Sequence, residues 1–228
     1  MRGIQAFIFD LDGTLIDNTP FHLQSWVQLF EEVGVELDVG EFQKWFNGKT
    51  TTQILRQVIG KDIPPAEISR LTERKEAIYR QLYGPQLKPL PGAVQFLKAA
   101  QQMNMPMAVA TSAYKANVDF VLDGLNLRPY FKVITSAEDI RQGKPSPEIY
   151  LITASRLGIA PQACLVFEDS LAGIEAAERA GMRLIVITTS LGAEQLKHLP
   201  SVQGVMRDFT GLSPEAVLAR ETPGYNTR

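Results

Sequence analysis

The chain has 228 residues, 45% of them hydrophobic and 21% charged: enough apolar material for a sizeable core, and too much for a disordered class. Its 23 basic and 25 acidic residues leave a formal charge of −2 with no long basic run, which argues against nucleic acid and anionic membranes as partners. One cysteine, Cys164, excludes an intramolecular disulfide framework, and no secretory leader pattern or membrane-length apolar run is present, so a soluble cytoplasmic protein is expected.

Residues 6–9 form an apolar run with little alternation, the pattern of a strand buried on both faces. Residues 16–86 then read as consecutive helices with no strand between them. The first starts at Thr19-Pro20, carries Leu23, Trp26, Val27 and Phe30 at helical spacing, and stops at Gly34. Others cover 39–46, 52–59 (ended by Gly60) and 65–83. From residue 91 helix and strand alternate: helix 91–103, strand 107–110, helix 115–125, strand 132–136 (the weakest pattern), helix 149–157, strand 164–167, helix 171–180 and strand 184–188. Ser170 suits the N-cap of the last helix and Gly181 its stop. Residues from Glu221 onward carry no periodic apolar pattern and are expected to fray.

This order predicts an α/β fold: a Rossmann-like parallel sheet core formed by 1–15 and 87–228, with an all-helical cap domain inserted at 16–86. In such sheets ligands bind beyond the carboxyl ends of the strands, and an insertion after the first strand would form a lid there.

Each of four groups is expected to end a different parallel strand. In FIFDLDGTL, Asp10 and Asp12 leave the first strand together. Two like charges so close call for a cation, and their hard oxygens suit Mg²⁺; alone, the pair also reads as an Asx-type turn. Thr111 and Ser112 close the second strand, either as donors to a phosphate or as a helix cap. Lys144, in GKPSPEIY, could neutralise a nucleophile–phosphate pair or be an ordinary solvated side chain. Glu168 and Asp169 end the fourth strand before a helix, where acids also serve as caps. The parallel sheet would bring all four groups to one rim. Together they form a phosphoryl-transfer set: carboxylates and Mg²⁺ for charge, lysine and hydroxyls for the phosphoryl oxygens, one acid as nucleophile.

In order, DLDGT, Thr111, Lys144 in KPSPEIY, and Glu168-Asp169 resemble the four motifs of the haloacid dehalogenase-like superfamily, over nearly the whole chain. The resemblance implies an aspartyl phosphate on Asp10, with Asp12 as general acid and then base. It implies Mg²⁺ held by Asp10, the Asp12 carbonyl and Asp169 with Glu168 nearby, and the phosphoryl group bound by Thr111 and Lys144. The insertion is similar to the caps of phosphoglycolate phosphatases, β-phosphoglucomutases and sugar-phosphate phosphatases. True dehalogenases lack the second acid of DLDGT, so the resemblance implies a phosphate enzyme.

Within the cap, His22 and Trp26 share a helix face at i, i+4 and read either as site residues or as packed core. The segment Asn47-Gly48-Lys49-Thr50-Thr51 suits a loop reaching into a site or a plain linker, and Lys75 reads first as a solvated charge. Compared with β-phosphoglucomutases, His22, Trp26 and Lys75 match positions that shape the closed cap. Asn47 and Thr51, however, stand where those mutases carry cations for a second phosphate, leaving Lys49 as a partial substitute. The expected activity is therefore Mg²⁺-dependent hydrolysis of a small phosphorylated metabolite, a sugar phosphate above others, by a monomer or weak homo-oligomer. A hexose-phosphate mutase is the alternative. A phospho-accepting receiver domain is a remote one, because strand 107–110 ends in Thr111 rather than in an aspartate, and receivers carry no helical lid.

Overall fold

Short runs of apolar residues between glycine- and proline-marked breaks become six parallel strands: β1 (Ala6–Phe9), β2 (Met107–Ala110), β3 (Val133–Thr135), β4 (Cys164–Glu168), β5 (Arg183–Ile187) and β6 (Val202–Met206). The computed structural model describes residues 3–46, 50–192 and 201–219. The sheet order is β3-β2-β1-β4-β5-β6, every pairing parallel. The fold is therefore α/β and Rossmann-like. The order reverses between β1 and β4, so the crevice at that switch point is where such a sheet takes its ligand.

Side chains alternate across β1 and fill two separate layers. Ala6 and Ile8 join Val166, Leu184 and Val186 under Ile149, Tyr150 and Ile174, which belong to α7 (Glu148–Leu157) and α8 (Leu171–Arg179). On the opposite face Phe7 and Phe9 pack with Phe167, Phe209 and Phe96, the last on α5 (Ala93–Gln102); the Phe9 and Phe167 rings stack 4.7 Å apart. Helix α6 (Lys115–Gly124) follows β2, and α9 (Pro214–Leu218) ends the described chain.

The chain divides into two compact units, Met1–Asp17 with Lys88–Arg228, and Asn18–Leu87. The second holds α1 (Thr19–Glu32), α2 (Val39–Trp45), α3 (Thr51–Val58) and α4 (Pro65–Tyr83). Its own core is Trp26, Leu29, Phe30, Phe42, Ile54, Leu55 and Ile78. Asp38 caps α2 by accepting from the Glu41 N–H, and Thr50 with Gln53 forms a capping box at the start of α3. Strand β6 and helix α9 were not expected from the sequence. The tail from Glu221 lies outside the described residues.

Candidate active site

The site is built where β1, β2 and β4 end side by side. Asp10 directly follows β1, and its N–H donates to the Phe167 carbonyl of β4 at 3.0 Å. The chain then turns tightly: the N–H groups of Thr14, Leu15 and Ile16 all donate to the Leu11 carbonyl, and Gly13 sits at φ +75°. This turn sets Asp12, half-buried, two residues beyond Asp10. Glycine at 13 is required twice over, by that φ and because a Cβ would lie 2.0 Å from Asp169 Oδ2.

Lys144 was expected at a strand end. It lies instead in the loop between β3 and α7, since β3 stops at Thr135 and a short helical turn, Ala137–Asp139, intervenes. Its side chain still returns to the rim. Nζ donates to Asp10 Oδ1 at 2.6 Å and to Glu168 Oε1 at 2.5 Å, and lies 5.1 Å from the centre of the Tyr150 ring. Burial alone would lower the lysine's proton affinity, but the charges of Asp10 and Glu168 outweigh it and hold the ammonium well above its ordinary value.

Glu168 was expected near a metal. Five donors occupy its two oxygens: Lys144 Nζ and the Tyr150 hydroxyl at Oε1, and the Asp169 N–H, Ser170 N–H and Ser170 hydroxyl at Oε2. It therefore orients Lys144 and the start of α8, both of its oxygens being met by these donors. Tyr150 keeps its proton for this bond, because burial and then the Glu168 charge push its hydroxyl well above the usual range.

Asp169 accepts at Oδ2 from the Ser190 hydroxyl, and the Thr189 hydroxyl oxygen lies 3.3 Å from the same atom. Burial first and Glu168 second push its carboxyl up to about 7, against the lowering effect of those hydroxyls. Asp10 is raised well above the ordinary carboxylate range by burial, with Lys144 opposing and Glu168 and Asp169 adding to the rise. Three buried carboxylates thus face one ammonium. Such an excess of negative charge on hard oxygens fits a small dication. Among the described residues no three acidic, histidine or cysteine side chains are placed to hold an ion together, so the fit rests on Asp10 and Asp169.

Thr111 directly follows β2, buried, and its Oγ1 accepts from the Ala113 N–H at 3.1 Å, which leaves the hydroxyl proton to donate; Ser112 beside it is exposed. Sequence reasoning missed Tyr150, Ser170 as a donor to Glu168, Thr189 and Ser190. Tyr150, Thr189 and Ser190 carried no local signal, since their partners Glu168, Gly13 and Asp169 lie on other elements.

Within the helical unit His22, Trp26 and Lys75 do come together. Lys75 Nζ donates to His22 Nδ1 at 2.8 Å and to Glu76 Oε1 at 3.0 Å, and lies 5.4 Å from the centre of the Trp26 ring. His22 stacks on Tyr79 with ring centres 4.2 Å apart. Lys75 is only 3% exposed, which corrects its reading as a solvated charge: an imidazole, a carboxylate and two aromatic faces replace its water. Asn47, Gly48 and Lys49 lie outside the described residues.

A family model for haloacid dehalogenase-like hydrolases matches residues 4–181. This chain belongs to that family. It is 35% identical over 180 residues to the fructose-1-phosphate phosphatase YqaB of Escherichia coli (strain K12), a match covering 78% of this chain and 93% of the relative. Among solved structures it is similar to a HAD hydrolase of family IA, variant 3, from Entamoeba histolytica HM-1:IMSS, with TM-score 0.87, 30% identity, and coverage of 95% of this chain and 99% of that one. A β-phosphoglucomutase from Clostridium difficile matches with TM-score 0.82, 28% identity, and coverage of 95% and 96%. The chain is therefore an enzyme, a hydrolase of this family with phosphatases among its curated relatives. No helix among the described residues is long and apolar enough to cross a membrane.

Proposed function

We propose that this hydrolase is a phosphatase for small phosphomonoesters, sugar phosphates above others, acting through an aspartyl phosphate on Asp10. The observation that carries the reading is the Asp10–Lys144 pair: a buried carboxylate at the switch point of the sheet, held by an ammonium at 2.6 Å. The fructose-1-phosphate phosphatase among the relatives supports a sugar phosphate as substrate.

In this reading Lys144, the Thr111 hydroxyl and Ser112 bind the phosphoryl oxygens. The Asp10 carboxylate attacks phosphorus, the bond from phosphorus to the ester oxygen breaks, and Asp12 protonates the departing oxygen. Asp12, now ionised, takes a proton from the water that attacks the acyl phosphate. The phosphorus–oxygen bond to Asp10 then breaks, releasing inorganic phosphate and restoring the carboxylate. Asp10, Asp169 and the Asp12 carbonyl would hold Mg²⁺, with Glu168 behind them. When bound, that ion supplies the positive charge that lets an anionic nucleophile meet an anionic phosphoryl group. Asp10 needs such charge, since burial otherwise favours its protonated form. The helical unit serves as the substrate-selecting cap, with His22, Trp26 and Lys75 as its polar and aromatic cluster.

Release of phosphate from p-nitrophenyl phosphate, silenced by chelation and restored by Mg²⁺, tests the reading; full activity in excess chelator contradicts it. A mutase is the second reading, favoured by the likeness to a β-phosphoglucomutase and by the His22–Trp26–Lys75 cluster. Asn47 and Thr51, neutral where the mutases carry cations, argue against it. Supplying β-glucose 1-phosphate with a trace of glucose 1,6-bisphosphate and Mg²⁺ separates the two. Free phosphate as the main product supports the phosphatase, and faster formation of glucose 6-phosphate supports the mutase.

A further inference from the structure

Two hydroxyls beyond β5 reach into the acidic cluster, although neither belongs to a motif that marks the site in the sequence. Strands β1, β4 and β5 lie side by side, so the turn holding Gly13, the carboxylate of Asp169 and the segment Thr189-Ser190 meet at one edge of the rim. Thr189 Oγ1 lies 2.5 Å from the Gly13 carbonyl and 3.3 Å from Asp169 Oδ2. A hydroxyl has one proton, and the shorter contact assigns it to the Gly13 carbonyl. The Ser190 hydroxyl donates to Asp169 Oδ2. The same Oδ2 rests against the bare Cα of Gly13, where a Cβ would come within 2.0 Å.

Asp169 Oδ2 is thus fixed by a hydroxyl on one side and by the DLDGT turn on the other, and Thr189 ties that turn to the end of β5. Oδ1 accepts no hydrogen bond among the described residues. Resting on the metal-dependent reading above, we infer that Thr189 and Ser190 are positioning residues: they fix Oδ2 of Asp169 and the Gly13 carbonyl so that Oδ1 is the oxygen offered to Mg²⁺. They touch neither substrate nor metal. A ligand carboxylate whose outer hydrogen bonds are removed must be ordered at the moment of metal binding, and affinity falls accordingly.

The test uses the full chain with Thr189→Val and Ser190→Ala combined, and titrates Mg²⁺ calorimetrically without substrate. The Mg²⁺ dissociation constant is expected to rise about tenfold or more, the range for lost outer-shell partners. The KM for p-nitrophenyl phosphate at saturating Mg²⁺ should stay within about twofold, and Thr189→Ser with Ser190→Thr should restore metal affinity. Should the combined variant fail to fold, Ser190→Ala alone, on an exposed residue, carries the same titration. A metal affinity in the hydroxyl-free variant within about twofold of the parent overturns the inference while metal-dependent hydrolysis by the parent still stands. A parent with no metal-dependent hydrolysis overturns both.

Discussion

Lys144 Nζ lies 2.6 Å from Asp10 Oδ1, although 134 residues separate the two in the chain, and the same nitrogen reaches Glu168 at 2.5 Å. One ammonium therefore serves two carboxylates, both its own side chain and theirs being nearly buried. Lys144→Met should lower kcat for p-nitrophenyl phosphate by about 10²–10³-fold, the range for removing one fixed positive or donor group from a desolvated site. Lys144→Arg should not rescue it, because a planar fork cannot replace a point charge packed against the Tyr150 ring. Steady-state kinetics on folded protein checks this; near-parental turnover in Lys144→Met would remove the lysine from the mechanism.

Gly173 lies in the first turn of α8, where a Cβ would sit 1.7 Å from Glu168 Oε1. Glycine to alanine inside a helix normally gains about 1 kcal/mol. Here the forced shift of Glu168 should cost about 1–3 kcal/mol and reverse the sign. Gly173→Ala should therefore lower the melting temperature by about 5 °C and impair turnover through Lys144. Gly40→Ala in α2 is the control, since its nearest neighbour would stand at 3.4 Å. That variant should hold or raise stability, and equal effects at both positions would contradict the packing account of Glu168.

Strand and helix positions were legible where apolar runs were unbroken: β1, β2 and β4 begin at the expected residues, and α4 has the expected bounds. Strand β6 was not, because Gln203 and Gly204 interrupt its apolar run and its pairing with β5 slips at Leu184/Ile185. Helix α9 is five residues long, too short for a periodic signal. In the site, the acids stood out because they leave apolar strands in pairs, and the lysine because two prolines follow it in its loop. Tyr150, Thr189 and Ser190 are ordinary residues locally, and only the sheet order gives them partners. Lys75 was misread for the same reason: its imidazole partner, His22, lies 53 residues away.

Asp139 links the turn after β3 to α7. The Arg156 guanidinium first, and then the Ser136 N–H and hydroxyl, hold its carboxyl below the ordinary range. A depressed value means that the contact stabilises the fold above the unfolded-state pKa, about 3.9, and that this is lost as pH falls through the lower folded-state value. Asp139→Asn should thus melt below the parent at pH 7, by an amount matching about 1 kcal/mol or less for so exposed a pair. The difference should shrink below about pH 4. Melting curves across pH check it, and a gap that widens in acid would reverse the assigned sign.

Cys164 begins β4 and is fully buried, and burial pushes its thiol up to about 11. At pH 8 only about one such buried thiol in a thousand would be ionised. Iodoacetamide should leave the native chain unmodified and alkylate it once in guanidinium chloride. Rapid modification of native protein would contradict the burial of β4.

The central claim is that Asp10 carries the phosphoryl group. Acid quenching during turnover of a ³²P-labelled sugar phosphate with Mg²⁺, followed by peptide mapping, tests it most directly. The account predicts hydroxylamine-labile label on the peptide containing Asp10, and neither label nor turnover in Asp10→Asn, which keeps the side chain's shape but cannot form an acyl phosphate. Label on any other residue, or turnover by Asp10→Asn at a rate near the parent's, would contradict it.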